Sequence, residues 1–253
     1  MELYFTIMTF VFGTIFGSFY NVVGDRLPEG KSIVKPRSHC PKCGHVLKWY
    51  ELIPVLSYLF QLGKCKSCKS HIPIIHPMFE IFCGIMFMLT YKVFGFTPEA
   101  LIAITFISVL LILIISDINY YIIPDEILIV GIVLLIIQKF VFMGLEVTFD
   151  SLLNGTTAFV IMLLLKLMGD FIFKKESMGG GDIKLMFLFG FVIGWDMSLL
   201  SIFLGSLIGF PISIGILLLK KTNIIPFGPF LSFGAMIILL NQFTLDTLLK
   251  ILL

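Results

Sequence analysis

The sequence predicts an all-α polytopic membrane protein: about eight transmembrane helices, with a zinc-bound cytoplasmic loop domain between the first two. Three observations predict it. The 253 residues are 58% hydrophobic and only 13% charged, with a mean hydropathy of +1.05, whereas a soluble domain carries about 25% charged residues. The apolar residues gather into segments close to the ~20 residues a helix needs to cross a bilayer. Four of the five cysteines form two Cys-x-x-Cys pairs inside the one long polar stretch. This balance excludes a water-soluble globular domain. The 27 phenylalanines with scattered Gly and Pro suit membrane helices better than a barrel, whose strands alternate apolar and polar residues.

In chain order the apolar segments fall at 2–23, 74–94, 98–116, 126–143, 152–173, 183–195, 197–219 and 229–250. The first has neither a basic leading region nor a small-residue cleavage site, so it reads as a retained span. The sixth is short and follows Gly179, Gly180 and Gly181, which leaves its start open. The domain organisation is therefore a first helix at 1–23, a polar loop at 24–73 and a seven-helix membrane domain at 74–253.

Orientation follows from the cations. The 24–73 stretch holds nine of the 18 Lys and Arg residues and only three acids. Positive charge is retained on the inner side of a membrane, so this loop is expected in the cytoplasm. Alternating the spans puts Lys174, Lys175, Lys184, Lys220 and Lys221 inside and Glu99, Glu146, Asp150 and Asp196 in outer turns. Lys92 and Lys139 are the exceptions, and both termini fall outside.

Within the loop, Cys40-Pro-Lys-Cys43 and Cys65-Lys-Ser-Cys68 are two knuckles separated by 21 residues. Four thiolates so spaced suit a tetrahedral structural zinc site, and a reducing compartment favours metal over disulfides. About 50 residues with few large apolar side chains need such a staple. His39, His45 and His71 lie beside the knuckles as solvated histidines or as substitute ligands, and Cys83 reads as a small packing residue.

Carboxylates at the edge of membrane helices are costly and point to function. Asp117 ends the third span and Asp182 opens the sixth, and the lysine-derived topology puts both at the cytoplasmic face. Each alone also reads as an interfacial carboxylate, as Asp125 and Glu126 do after Pro124. The glycines beside Asp182 favour the functional reading, because glycine allows close backbone approach and unusual dihedrals where an extended peptide must fit. Lys184 either orients the pair or sits at the lipid headgroups.

At this point the sequence resembles the bacterial type IV prepilin peptidases, which belong among the GxGD membrane aspartyl proteases. The resemblance runs through Gly17-Ser18-Phe19-Tyr20-Asn21-Val22-Val23 with Arg26-Leu27-Pro28, the paired knuckles, and Ile53-Pro54-Val55-Leu56-Ser57-Tyr58-Leu59. It continues in Asp117 with Ile123-Pro124-Asp125, and in Gly179-Gly180-Gly181-Asp182-Ile183-Lys184. The chain departs from the family pattern at Glu51-Leu52 and at Ile75-His76-Pro77-Met78-Phe79-Glu80, both away from the aspartates. The resemblance implies an inner-membrane aspartyl endopeptidase whose catalytic pair is Asp117 and Asp182, facing the cytoplasm. It implies prepilin or pseudopilin substrates with a basic leader, cut after glycine, and no nucleic-acid partner. It also implies a second activity, N-methylation of the new terminus with S-adenosylmethionine, for which Gly63 and Lys64 match an associated pair. Two other classes remain open on residues alone: a transporter using the two aspartates as a cation or proton site, and a membrane scaffold whose zinc loop docks a partner. The oligomeric state is not legible.

Overall fold

The computed structural model describes residues 1–220 and 225–243, the side chains of residues 219 and 220 excepted. The chain divides into two compact units, Met1–Phe96 and Thr97–Leu253.

In the first unit, α1 (Glu2–Arg26) packs along α3 (Ile75–Phe94). Small residues let the two backbones touch: a methyl group on Gly13 would stand 2.7 Å from the Cys83 carbonyl and 2.8 Å from Gly84. Helices in a bilayer associate through such close approach, since lipid is as apolar as the side chains it replaces. Cys83 is fully buried in this seam, as a packing residue should be. Between the helices run the knuckles, a 3-10 turn (Trp49–Glu51) and the short α2 (Leu56–Phe60).

The second unit is a bundle of α4 (Pro98–Tyr120), α5 (Asp125–Met143), α6 (Leu145–Phe173), α7 (Gly180–Ile193), α8 (Trp195–Lys220) and α9 (Gly228–Asn241). Over its most apolar window α4 is 67% buried and α6 only 11%, so α4 is central and α6 turns its side chains outward. Phe106 of α4 meets Phe189 of α7 edge-to-face at 5.9 Å, and Leu110, Leu111, Leu185, Leu188, Leu231 and Ala235 of α4, α7 and α9 are likewise almost without exposure. The apolar residues on the outer faces of α5, α6 and α8 remain exposed, which suits a lipid solvent.

Each of the eight expected segments corresponds to a helix. Among the described residues six helices are long and apolar enough to cross a membrane, and the chain is a multi-pass membrane protein. The count of eight rests further on α7 and α9, each 14 residues long, below the ~20 a span needs. The expected end of the last segment, 244–250, and Lys221 lie outside the described residues.

Three details differ from expectation. Glu146 and Asp150 are not in a turn: Gly144 (φ 88°) ends α5 and starts α6 at once, so Glu146 lies in the first turn of α6, where the helix dipole favours it, and Asp150 in the second. Lys139 is no flanking charge. It is buried, donating to Ser151 Oγ at 2.7 Å and to the Phe191 carbonyl at 2.6 Å, with the Phe191 ring 4.8 Å away. It thereby satisfies a carbonyl in the last turn of α7, which no intrahelical donor can reach. The triple glycine, finally, adopts no left-handed backbone; Gly179 caps α7 at φ −66° and Gly180 and Gly181 form its first turn.

Candidate active site

Asp117 sits in the last turn of α4 and is buried. The helix ends because Tyr121 takes the left-handed conformation (φ 57°), its amide donating to the Asp117 carbonyl at 2.9 Å. Ser116 Oγ donates to the Ile122 carbonyl at 2.6 Å, which folds the following residues back under the helix end. Pro124 then starts α5 with Asp125 and Glu126 in its first turn. Asp182 lies in the first turn of α7, half-buried, and the Ile123 side chain that packs on its neighbour Gly181 also reaches Gly228, whose amide holds Asp117. The fold therefore brings the two sequence-selected aspartates together within one unit.

Their surroundings explain the glycines. Ile123 packs against the first turn of α7: a methyl group on Gly181 would stand 2.9 Å from its Cδ1 and 3.0 Å from its Cβ. The same Ile123 Cδ1 reaches the start of α9, 3.5 Å from where a methyl on Gly228 would lie. The Gly228 amide donates to Asp117 Oδ2 at 3.0 Å, so the α9 N-terminus holds the carboxylate. Gly228 escaped sequence reasoning. The signal was present in Pro226-Phe227-Gly228-Pro229, two prolines bracketing a glycine ahead of an apolar helix. Lys184 pairs with Asp125 at 2.6 Å across the mouth of a largely apolar groove of about 460 Å³ that includes Leu128, Phe159 and Phe187.

In the first unit the four expected thiols converge. The ligand atoms of Cys40, Cys43, Cys65 and Cys68 all lie within 4.8 Å of one another, a group that can hold a metal ion. Cys40 and Cys68 Sγ are 3.8 Å apart and Cys43 and Cys65 3.9 Å; tetrahedral zinc with ~2.3 Å bonds needs sulfurs about 3.8 Å apart. The two knuckles share one geometry. The Cys40 amide donates to the His45 carbonyl and the Gly44 amide to the Cys40 carbonyl; Cys65 with Ser70, and Lys69 with Cys65, repeat the pattern. The amides of Cys43 and Lys42 hold the Cys40 thiol down at about 6. The His45 amide pulls Cys43 down too, but desolvation and the neighbouring thiols outweigh it and leave it at about 11. Four clustered thiols cannot all ionise without a cation.

Of the histidines, His45 bonds not to the cluster but to buried Glu51, at 3.1 Å from Oε2, and Glu51 also accepts the Lys48 amide at 2.9 Å. His39 Nδ1 lies 3.0 Å from the Arg37 carbonyl. Gly63 (φ 67°) forms a turn against Tyr58, and Lys64 lies on the open side of the loop. A cavity of about 560 Å³ within this unit is lined by Ser18, Asn21, Tyr58, His76 and Glu80, without Gly63 or Lys64.

Comparison with known proteins follows the same two-unit division. Residues 11–94 match the bacterial peptidase A24 N-terminal domain, and residues 104–214 match the type IV leader peptidase family. A Bacillus subtilis protein named prepilin leader peptidase/N-methyltransferase is 36% identical over 90% of this chain and 91% of its own length. The chain belongs to the type IV leader peptidase family. Relatives of the same name in Pseudomonas aeruginosa and Myxococcus xanthus are 33% and 34% identical, over 93% and 87% of this chain. The chain spans 90% of the Pseudomonas protein's length and 64% of the Myxococcus protein's. No solved structure matches. As a member of this leader peptidase family, the chain is a membrane peptidase.

Proposed function

We propose that this family member removes the basic leader of type IV prepilins and pseudopilins, cutting after glycine at the cytoplasmic face of the inner membrane. Asp117 and Asp182 are the catalytic pair. One observation carries this: two carboxylates far apart in sequence stand at the ends of α4 and α7 beside one wall formed by Gly181, Ile123 and Gly228, the last of which holds Asp117 through its amide.

Two close carboxylates do not both ionise cheaply, so the pair shares a proton. The ionised member takes a proton from water, whose oxygen attacks the scissile carbonyl, while the protonated member hydrogen-bonds the carbonyl oxygen. Collapse of the tetrahedral species breaks the C–N bond and passes a proton to the leaving amine. Gly228 orients Asp117 through its amide and touches no substrate in this scheme. Asp117→Asn and Asp182→Asn should each abolish cleavage of a co-expressed prepilin while expression and metal content stay unchanged. Wild-type cleavage by either variant would refute the pairing.

The four-cysteine cluster is assigned to structural zinc, on the sulfur spacing and the four-thiol donor set. A second activity, N-methylation of the new terminus, is favoured by the 560 Å³ cavity of the first unit, a size suited to small ligands. Its wall includes Glu80, a buried carboxylate held by the Val55 amide at 2.7 Å. S-adenosylmethionine supplies an electrophilic methyl group and carries a cationic sulfur, which a buried carboxylate can offset. Glu80 is the residue assigned to hold that cation; Gly63 stays in the scheme through the turn that seats Tyr58 on the cavity wall, and Lys64 as an outer contact. Mass spectrometry of processed pilin should show both the cut and an added methyl group. Glu80→Gln should lose the methyl and keep the cut.

A further inference from the structure

The loop of the first unit carries a second surface that the peptidase reading does not use and that meets the methyl-transfer reading only at Lys64. Phe60 is 85% exposed, Leu62 83% and Trp49 75%, with Leu56 and Leu59 exposed beside them. A water-facing loop has no reason to display side chains this large in the open. Phe60 and Leu62 share the rim of one open concavity, about 540 Å³, with Lys64, Lys66 and Lys69. Lys66 is held there by Tyr50, donating to its hydroxyl at 3.1 Å and standing 4.8 Å over its ring. The acid on this rim, Glu51, is already occupied by His45 and the Lys48 amide.

The depth of this face is set by a tether. The Val55 amide, at the start of α2, donates to Glu80 Oε2 at 2.7 Å. Glu80 lies in the second turn of α3, a helix long and apolar enough to span the membrane, and at 1.5 Å per residue it stands about 8 Å from the helix start. Helix α2 therefore starts level with the second turn of this apolar helix. Val55 sits at φ 61°, Leu62 at 52° and Lys69 at 59°, a region a β-branched residue rarely enters without a compensating contact.

We infer that the face formed by α2, Trp49 and the second knuckle docks on the anionic lipid surface of the membrane the chain spans. Large apolar and aromatic side chains ringed by lysines are what an interface of acyl chains and phosphate headgroups accepts. A basic peptide leader would be repelled by the three lysines, and a neutral protein surface would leave them uncompensated. The zinc cluster then has a mechanical role, fixing Cys65–Lys69 so that the lysines and Leu62 point to one side.

The test uses the full chain with Trp195→Phe, leaving Trp49 as its one tryptophan. It is reconstituted in nanodiscs of phosphatidylcholine alone, or of phosphatidylcholine with phosphatidylglycerol, each with and without brominated acyl chains. Trp49 emission should shift to the blue, be quenched by the brominated lipid and resist iodide, more so with phosphatidylglycerol. Replacing Lys64, Lys66 and Lys69 by Gln should lower the docked-to-free ratio in anionic discs about fivefold per lysine. Phe60→Ser with Leu62→Ser should abolish bromine quenching while bound zinc, measured in parallel, stays at the wild-type level. Free access of iodide in every disc would overturn the inference. So would protection from iodide without bromine quenching, which would put protein, such as a second copy of the chain, on this face.

Discussion

Gly228→Ala probes the site without removing a carboxylate. The added methyl would stand 2.7 Å from Asp117 Oδ2 and 3.3 Å from its Cγ, where ordinary contact begins at 3.4 Å. The Asp117 carboxylate must therefore swing by about 0.7 Å to clear it. That movement strains the 3.0 Å hydrogen bond from the Gly228 amide to Oδ2; hydrogen bonds to charged groups contribute about 1.5–3 kcal/mol. Misplacing a reacting group by about 1 Å costs on the order of 100-fold in rate. The two estimates agree on a fall of about 10- to 100-fold in cleavage. Gly215→Ala is the matched control, because nothing lies within 4 Å of its added methyl. That variant should cleave at the wild-type rate and melt no lower, since alanine is the better helix former. The assay is single-turnover cleavage of a purified prepilin in detergent, with thermal unfolding of each variant measured in the same buffer. If Gly228→Ala cleaves as fast as Gly215→Ala, the contact between Gly228 and Asp117 has no part in catalysis and the proposed site geometry fails.

Other perturbations separate folding from chemistry. Lys139→Met should leave the Phe191 carbonyl buried without its donor, lowering stability by about 1–3 kcal/mol; thermal unfolding should register the loss while cleavage by the folded fraction is unchanged. Cys65→Ser should lower bound zinc and raise amide exchange across residues 40–70, and a wild-type chain purified without zinc or any other metal would contradict the metal assignment. The Lys48 amide, and then His45, hold Glu51 below the ordinary carboxylate range. The stability this brings is fully present above the unfolded value of about 4.3 and is lost as pH falls through the lower folded value. Loop protection in wild type and in Glu51→Gln should therefore differ at neutral pH and converge in acid; a gap that persisted below both values would exclude the carboxylate as its source.

Much of the architecture was legible because the bilayer restricts what a chain can do in it. Backbone groups in lipid must be satisfied within a helix, so runs of Leu, Ile and Phe such as Leu101–Ile115 mark helices without reference to their neighbours. The knuckles were legible for a similar reason: two Cys-x-x-Cys pairs have few stable uses, and the cluster converges as the spacing requires. Asp117 and Asp182 could be selected because carboxylates are rare at such positions. Their meeting could not be derived, since it depends on how α4 and α7 pack. Lys139 misled for the opposite reason: charge counting treats every lysine as a flank, and only packing reveals that this one closes the end of α7.

The sequence by itself therefore determined the helices, the metal-type loop and the pair of acids, all of which follow from local composition and short spacings. Tertiary structure alone decided that Gly181 matters for space and not for dihedral freedom, that Ile123 joins α7 to α9, and that the Gly228 amide reaches Asp117 across 111 residues of chain. These are contacts between distant segments, fixed by helix packing, and no local pattern encodes which faces will meet.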